Sequence, residues 1–274
     1  MTGLIKADFK KLFKSKTLLV CSLIALGISL LTVFVMHMAL SVLGDKMQMA
    51  KDMMSMAGGD ESIDMSVALS QIPDNNIWSF VDMLFKDSNI GIFIAICVCV
   101  FVASEYSMGT LKNIVSRGFS RNQIYFSKLL VSVVCSVIIT AVYVTGGAIM
   151  STFWANEEVK ATVSQIILSI ISYMLIIFAM TSLYLMIAFI VAKSGLSIAV
   201  SIGAVVLISS IFEMLAMSIE HFENYSKYWL PNTLSIVSTS IKDGQWYVPM
   251  LIAAGYFAVT TIIGLLVFKK RDIK

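Results

Sequence analysis

Residues 105–128 read EYSMGTLKNIVSRGFSRNQIYFSK, a basic, polar connector held between two long apolar runs. Upstream lies an apolar stretch centred on Ile90–Ser104, and downstream another covers Lys128–Trp154. Spanning a bilayer as a helix takes about 20 apolar residues, because lipid offers no partner for free N–H and C=O groups. The connector therefore belongs at a membrane surface, and the chain is read as an all-helical membrane protein.

The composition agrees. The chain is 58% hydrophobic and 14% charged, with mean hydropathy +0.87, whereas a soluble domain carries roughly a quarter charged residues. Six spans are predicted: Thr17–Leu40, Ile90–Ser104, Lys128–Trp154, Thr162–Ala192, Leu196–Ile219 and Val248–Phe268. The second is short alone, so its helix is extended outward through Asp82–Asn89, with Lys86 and Asp87 at the headgroups and Trp78 as an interfacial anchor. The first run is expected to stay as a span, because no small-residue cleavage site follows it.

Charge sets the expected orientation. Fourteen of the 20 lysines and arginines fall on the N-terminus, the 105–128 connector, Lys193 and the tail, together with only Asp8, Glu105 and Asp272 of the 17 acids. Positive charge stays in the cytoplasm, so both termini and the connector are expected there. Outside lie a long first loop, Ser41–Ser88, and a segment from Glu220 to Tyr247. Short turns at Ala155–Ala161 and Lys193–Gly195 make spans three, four and five antiparallel neighbours.

Within the connector, Thr110 is the predicted N-cap of a short helix. Leu111, Ile114 and Val115 form its apolar face, and Lys112, Asn113, Ser116 and Arg117 point elsewhere. Gly118 can take the left-handed conformation that ends a helix, and Ser120–Gln123 has the form of a capping box opening the next one. At the N-terminus, Ile5, Phe9, Leu12 and Phe13 share one helical face and Lys6, Lys10, Lys11 and Lys14 the other. That pattern suits a helix lying in the membrane interface against anionic lipid.

Glu105-x-x-x-Gly109-Thr110-Leu111-x-x-Ile114-x-Ser116, followed by Ser120-Arg121 and Ile124, resembles the cytoplasmic loop of type-2 ABC transporter permeases, six-span exporter subunits that pair with a separate ATP-binding cassette protein. The layout resembles theirs along the whole chain; Gly118 stands where many relatives carry proline. The resemblance implies that Glu105 and Gly109, Thr110, Leu111, Lys112, Asn113, Ile114, Val115, Ser116 and Arg117 form a coupling segment seated on the ATPase, with the N-terminal helix beside it. It implies a second permease copy or paralogue, ATP and Mg held by the partner subunit, and a bacterial cytoplasmic membrane. The implied substrate is hydrophobic or amphipathic, such as an antimicrobial peptide or drug, moved for export, self-immunity or resistance.

Missing motifs point the same way. The chain has no G-x-x-x-x-G-K-[ST] phosphate loop, so it is not expected to bind ATP itself. His37 and His221 have no ligand-spaced neighbours, and no hydrolytic constellation is visible. Neither a resident cofactor or metal nor a nucleic-acid partner is expected. Glu213 is the one acid well inside an apolar run, read either as a headgroup carboxylate or as a polar contact in the substrate path or between protomers. With Tyr228, Trp229 and Pro231 it makes a candidate substrate path or, as the resemblance implies, an outer gate, in which Leu234, Ile236, Val237 and Ile241 belong to a short re-entrant or interfacial helix. Two other readings compete: a non-transporting scaffold or sensor, and a copper-related permease using Met47, Met49, Met53, Met54, Met56 and Met65, a patch that reads otherwise as an amphipathic outer helix or an adaptable peptide-contacting surface. Cys21, Cys97, Cys99 and Cys135 read as buried apolar filler, with Cys97 and Cys99 directed to different sides of one helix.

Overall fold

A computed structural model describes residues 2–56, 76–155, 159, 161–219 and 222–270. Among them the chain is all helix: α1 (Thr2–Lys14), α2 (Lys16–Met56), α3 (Ile77–Lys86), α4 (Ser88–Ser107), α5 (Thr110–Ser116), α6 (Arg121–Ser151), α7 (Val163–Val191), α8 (Ser194–Ser218), α9 (Glu223–Ser226), α10 (Leu230–Lys242) and α11 (Tyr247–Lys270). Six of these, α2, α4, α6, α7, α8 and α11, are long and apolar enough to cross a membrane. They correspond to the six predicted spans.

Helix α7 is the hub, packing against α11, α4, α10, α6 and α8, while α2 lies against α6. Near the chain termini, Phe189 sits between Phe268 and Tyr125, with ring centroids 4.7 and 5.2 Å away. Arg121 Nη1 donates to the carbonyls of Phe268 and Lys269 at 3.1 and 2.7 Å, closing the last turn of α11. At the other end Phe85 stacks on Tyr173 at 4.7 Å. Ser182 and Thr260 share a hydroxyl contact of 2.5 Å between α7 and α11, the kind of interhelical bond that lipid cannot replace.

Two boundaries differ from the expectation. The first span does not give way to a loop at Ser41: α2 continues to Met56, since Ser41–Met56 contains no proline and only one glycine. Met47, Met49, Met53, Met54 and Met56 lie on this helical extension; Met65 lies outside the described residues, as do His221 and the rest of residues 57–75 of the expected first loop. The expected outward extension of the second span breaks in two at Asp87, whose backbone is extended (φ −67°, ψ 122°) and whose carboxylate accepts from Asn89 N at 3.0 Å as the N-cap of α4.

Nor do both charges at that break face the headgroups. Lys86 pairs with Asp82 at 2.6 Å. Asp87 turns inward to accept from the hydroxyls of Tyr143 and Thr32. Asp82 accepts from Tyr173 and Ser238 at 2.6 and 2.9 Å. Two carboxylates thus tie α3 to α2, α6, α7 and α10.

Candidate functional site

The connector between α4 and α6 folds as its local chemistry dictates, with one shift. Gly109, not Thr110, takes the cap position, in the left-handed region at φ +65°. Thr110 is the first helical residue, and its hydroxyl donates back to the Glu105 carbonyl at 3.3 Å. A residue without Cβ turns the chain sharply at no steric cost, which frees the threonine to secure the end of α4. Gly118, at φ +86°, stops α5 as expected. Ser120 and Gln123 then exchange both bonds of a capping box and start α6.

The faces of α5 are the reverse of the simplest docking picture. Leu111 is 1% exposed and lies within the protein's own core, and Ile114 and Val115 are half-buried against it. Lys112, Asn113, Ser116 and Arg117 are exposed, and Met108, just ahead of the helix, is 70% exposed. The apolar side holds α5 to the bundle, and its polar side is the surface it presents.

Beneath α5 lies a cluster that the charge pattern alone does not disclose. Lys128 Nζ, fully buried, sits 2.5 Å from Asp8 Oδ1 and 2.7 Å from Glu105 Oε1. Lys11 Nζ reaches Glu105 Oε1 at 2.9 Å, and the Ser127 hydroxyl donates to Asp8 Oδ2 at 2.6 Å. Phe101 lies below, its centroid 5.0 Å from Lys128 Nζ. Two acids and two lysines balance, and they bind α1, the end of α4 and the start of α6 into one unit. Glu105 Oε2 is buried and has no hydrogen-bond partner among the described residues. Buried pairs of this kind recover their desolvation cost only with good geometry and added hydrogen bonds.

The cluster also orients α1. Leu4, Asp8 and Leu12 are buried against the bundle, and Lys6, Lys10 and Lys14 are exposed. The predicted apolar face is therefore split: Leu12 enters the core, Ile5 and Phe9 are half-buried at its flank, and Phe13 is 63% exposed and stacked on Phe9. The sequence does carry a signal for this. Asp8 interrupts the i, i+4, i+8 row Leu4–Asp8–Leu12, and an acid in an apolar row needs a buried base. Between α1 and α5 a cavity of about 440 Å³ is lined by Leu4, Asp8, Lys11, Glu105, Ile114 and Arg117.

At the opposite end, Glu213 and Pro231 line one cleft of about 820 Å³, bounded by α4, α8 and α10. Trp229 stands behind it, donating from Nε1 to Ser209 Oγ at 2.9 Å. Tyr228 lies apart, half exposed, with Lys227 Nζ 5.5 Å from its ring. The predicted helix in this segment is α10, with Pro231 in its first turn and Leu234, Val237 and Ile241 buried. All four cysteines are buried; Cys97 faces Cys135 on α6 and Cys99 faces Ser201 on α8, as their spacing requires. Among the described residues no group of three or more His, Cys, Asp or Glu is placed to hold a metal.

Fold and site together define a multi-pass membrane protein with a charge-locked surface helix. The chain belongs to the family described as protein of unknown function (DUF2705), whose sequence model matches residues 47–274. No curated protein and no solved structure matches it.

Proposed function

We propose that this chain is the permease subunit of an ATP-driven exporter in the bacterial cytoplasmic membrane, moving a hydrophobic or amphipathic substrate such as an antimicrobial peptide or drug. The observation that carries this reading is the mounting of α5. A seven-residue helix with a polar, basic outer face is fixed by Leu111 to the bundle, directly above charges that join α1, α4 and α6. A plain loop between two spans needs no such bracing. A helix that takes a push from a soluble ATPase and passes it into two spans does need it. In this reading ATP and Mg are held by that partner, in keeping with a sequence that carries no G-x-x-x-x-G-K-[ST] phosphate loop. The outward sides of α2, α8 and α11 are largely unburied within one chain, as suits contact with lipid and with a second permease copy or paralogue.

The test is capture. The tagged chain, solubilised from its native membrane, is expected to bring down an ATP-binding cassette protein, and the chain alone is expected to hydrolyse no ATP above background. Hydrolysis intrinsic to the chain, or capture of no ATPase, would overturn the reading.

The same proposal places α5 and both termini in the cytoplasm, following the positive charge. All native cysteines are buried, so introduced ones report cleanly. In intact cells a membrane-impermeant maleimide should label Ser218→Cys at the far end of α8 and leave Ser116→Cys on α5 unlabelled. The inverse pattern would reverse the topology.

A further inference from the structure

Glu213 is a charge without a countercharge. It lies on α8 inside the apolar span Ser194–Ser218. Its side chain is exposed and has no hydrogen-bond or ion-pair partner among the described residues. Of the other charges lining the cleft, Lys86, Asp87 and Lys227, the first two are answered in place. Lys86 is held by Asp82 at 2.6 Å, and Asp87 by Tyr143, Thr32 and Asn89. Lys227 lies beyond the span, over the ring of Tyr228, and makes no ion pair with Glu213. With Asp82 counted behind Lys86, three acids face two lysines. An uncompensated carboxylate within a span is costly, and such groups face a cavity and meet a partner there.

The rest of the cleft says what that partner looks like. Its walls alternate apolar side chains such as Ile94, Met180 and Val205 with the hydroxyls of Ser209, Ser210 and Ser235. Its volume, about 820 Å³, is within the range of pockets that enclose a drug-sized molecule. Gly91 on the wall has Met180 Cε and the Tyr184 hydroxyl 3.0 and 3.1 Å from where a Cβ would stand, so α4 and α7 are in close contact behind the cleft and give it a firm back.

We propose that this cleft binds a cationic amphiphile, an apolar chain or peptide face carrying a protonated amine, with the amine paired to Glu213. The proposal deepens the exporter reading by naming the charge class of its substrate, and it rests on that reading only for the word substrate. Binding itself requires no ATPase.

The test uses the full chain alone in nanodiscs of neutral lipid, with 1,12-diaminododecane dansylated on one nitrogen, its other amine free and protonated, as probe and the same molecule acetylated on that amine, hence uncharged, as control. Energy transfer from tryptophan reports occupancy, Trp229 lying beside the cleft wall through Ser209. The amine is expected to bind the native chain roughly tenfold more tightly than the acetylated probe, the usual scale of a charge-assisted contact. Glu213→Gln should remove that preference and keep the thermal midpoint, and Glu213→Asp should retain most of it. Equal affinity of the native chain for both probes overturns the proposal. So does a Glu213→Gln variant that still prefers the amine. If Glu213→Gln instead turns a dimer into monomers with probe binding unchanged, Glu213 is a contact between subunits and the proposal fails. Failure to capture an ATPase leaves these binding results standing, so the two readings fall separately.

Discussion

Lys128→Met is expected to remove most of the folded protein from the membrane and to lower the thermal midpoint of what remains. Lys128 is the only base within ion-pairing distance of Asp8 among the described residues and one of two for Glu105. Taking it away leaves two carboxylates buried, one of them already holding an oxygen with no hydrogen-bond partner among the described residues. Breaking a buried pair by removing one partner costs about 3–5 kcal/mol, a large share of the 5–15 kcal/mol typical of a folded domain. Lys11→Ala should cost far less, about 1 kcal/mol at most, because the Lys11 side chain is 37% exposed and water takes over its role. The triple variant Asp8→Asn, Glu105→Gln, Lys128→Met removes every charge that Lys128 balanced, and it should recover most of the lost protein. Fluorescence-detected size exclusion and thermal unfolding in detergent measure all three. A Lys128→Met chain that accumulates and melts like the native one would show that the cluster does not hold α1, α4 and α6 together.

The physical reason this cluster escapes the sequence also explains which parts of the fold do not. Long apolar runs force helices, since lipid satisfies no backbone group, and all six spans are legible. Gly118 and Ser120–Gln123 are legible because a left-handed residue and a capping box are local chemistry. Periodicity, however, shows only which residues share a face. It does not show whether that face meets lipid or protein, because in a membrane both neighbours are apolar. Leu12 and Phe13 look alike in sequence, yet one is in the core and the other is open. The same ambiguity conceals the inward turn of Leu111. Lys128 stands at the mouth of a span, where a basic residue ordinarily reads as a topological anchor; only the packing of α1 across it makes it a buried ion. The break at Asp87 is a tertiary choice too. Its carboxylate leaves the headgroups because Tyr143 and Thr32 wait inside the bundle.

The exposed face of α5 gives the sharper test of coupling. Replacing the apolar residues of that helix does not isolate docking. Leu111→Asp forfeits about 1.5–3 kcal/mol of side-chain burial and adds a buried charge, so it is expected to unfold the connector and to be lost before any partner is met. Lys112, Arg117 and Met108 are different. They are exposed in the single chain, and among the described residues neither base is in an ion pair. Reversing two charges at a complementary surface turns attraction into repulsion, and like charges placed against each other cost several kcal/mol. Met108→Asp with Lys112→Glu and Arg117→Glu should therefore leave expression, labelling pattern and thermal midpoint as they are. Capture of the ATPase should fall at least roughly a hundredfold, the scale of about 3 kcal/mol, with substrate-stimulated ATP turnover lost alongside it. Raising the salt concentration should weaken capture by the native chain in the same direction, since exposed charges are screened. If the triple variant still captures the ATPase at native level, the force does not enter through α5, and the bracing beneath it serves stability alone.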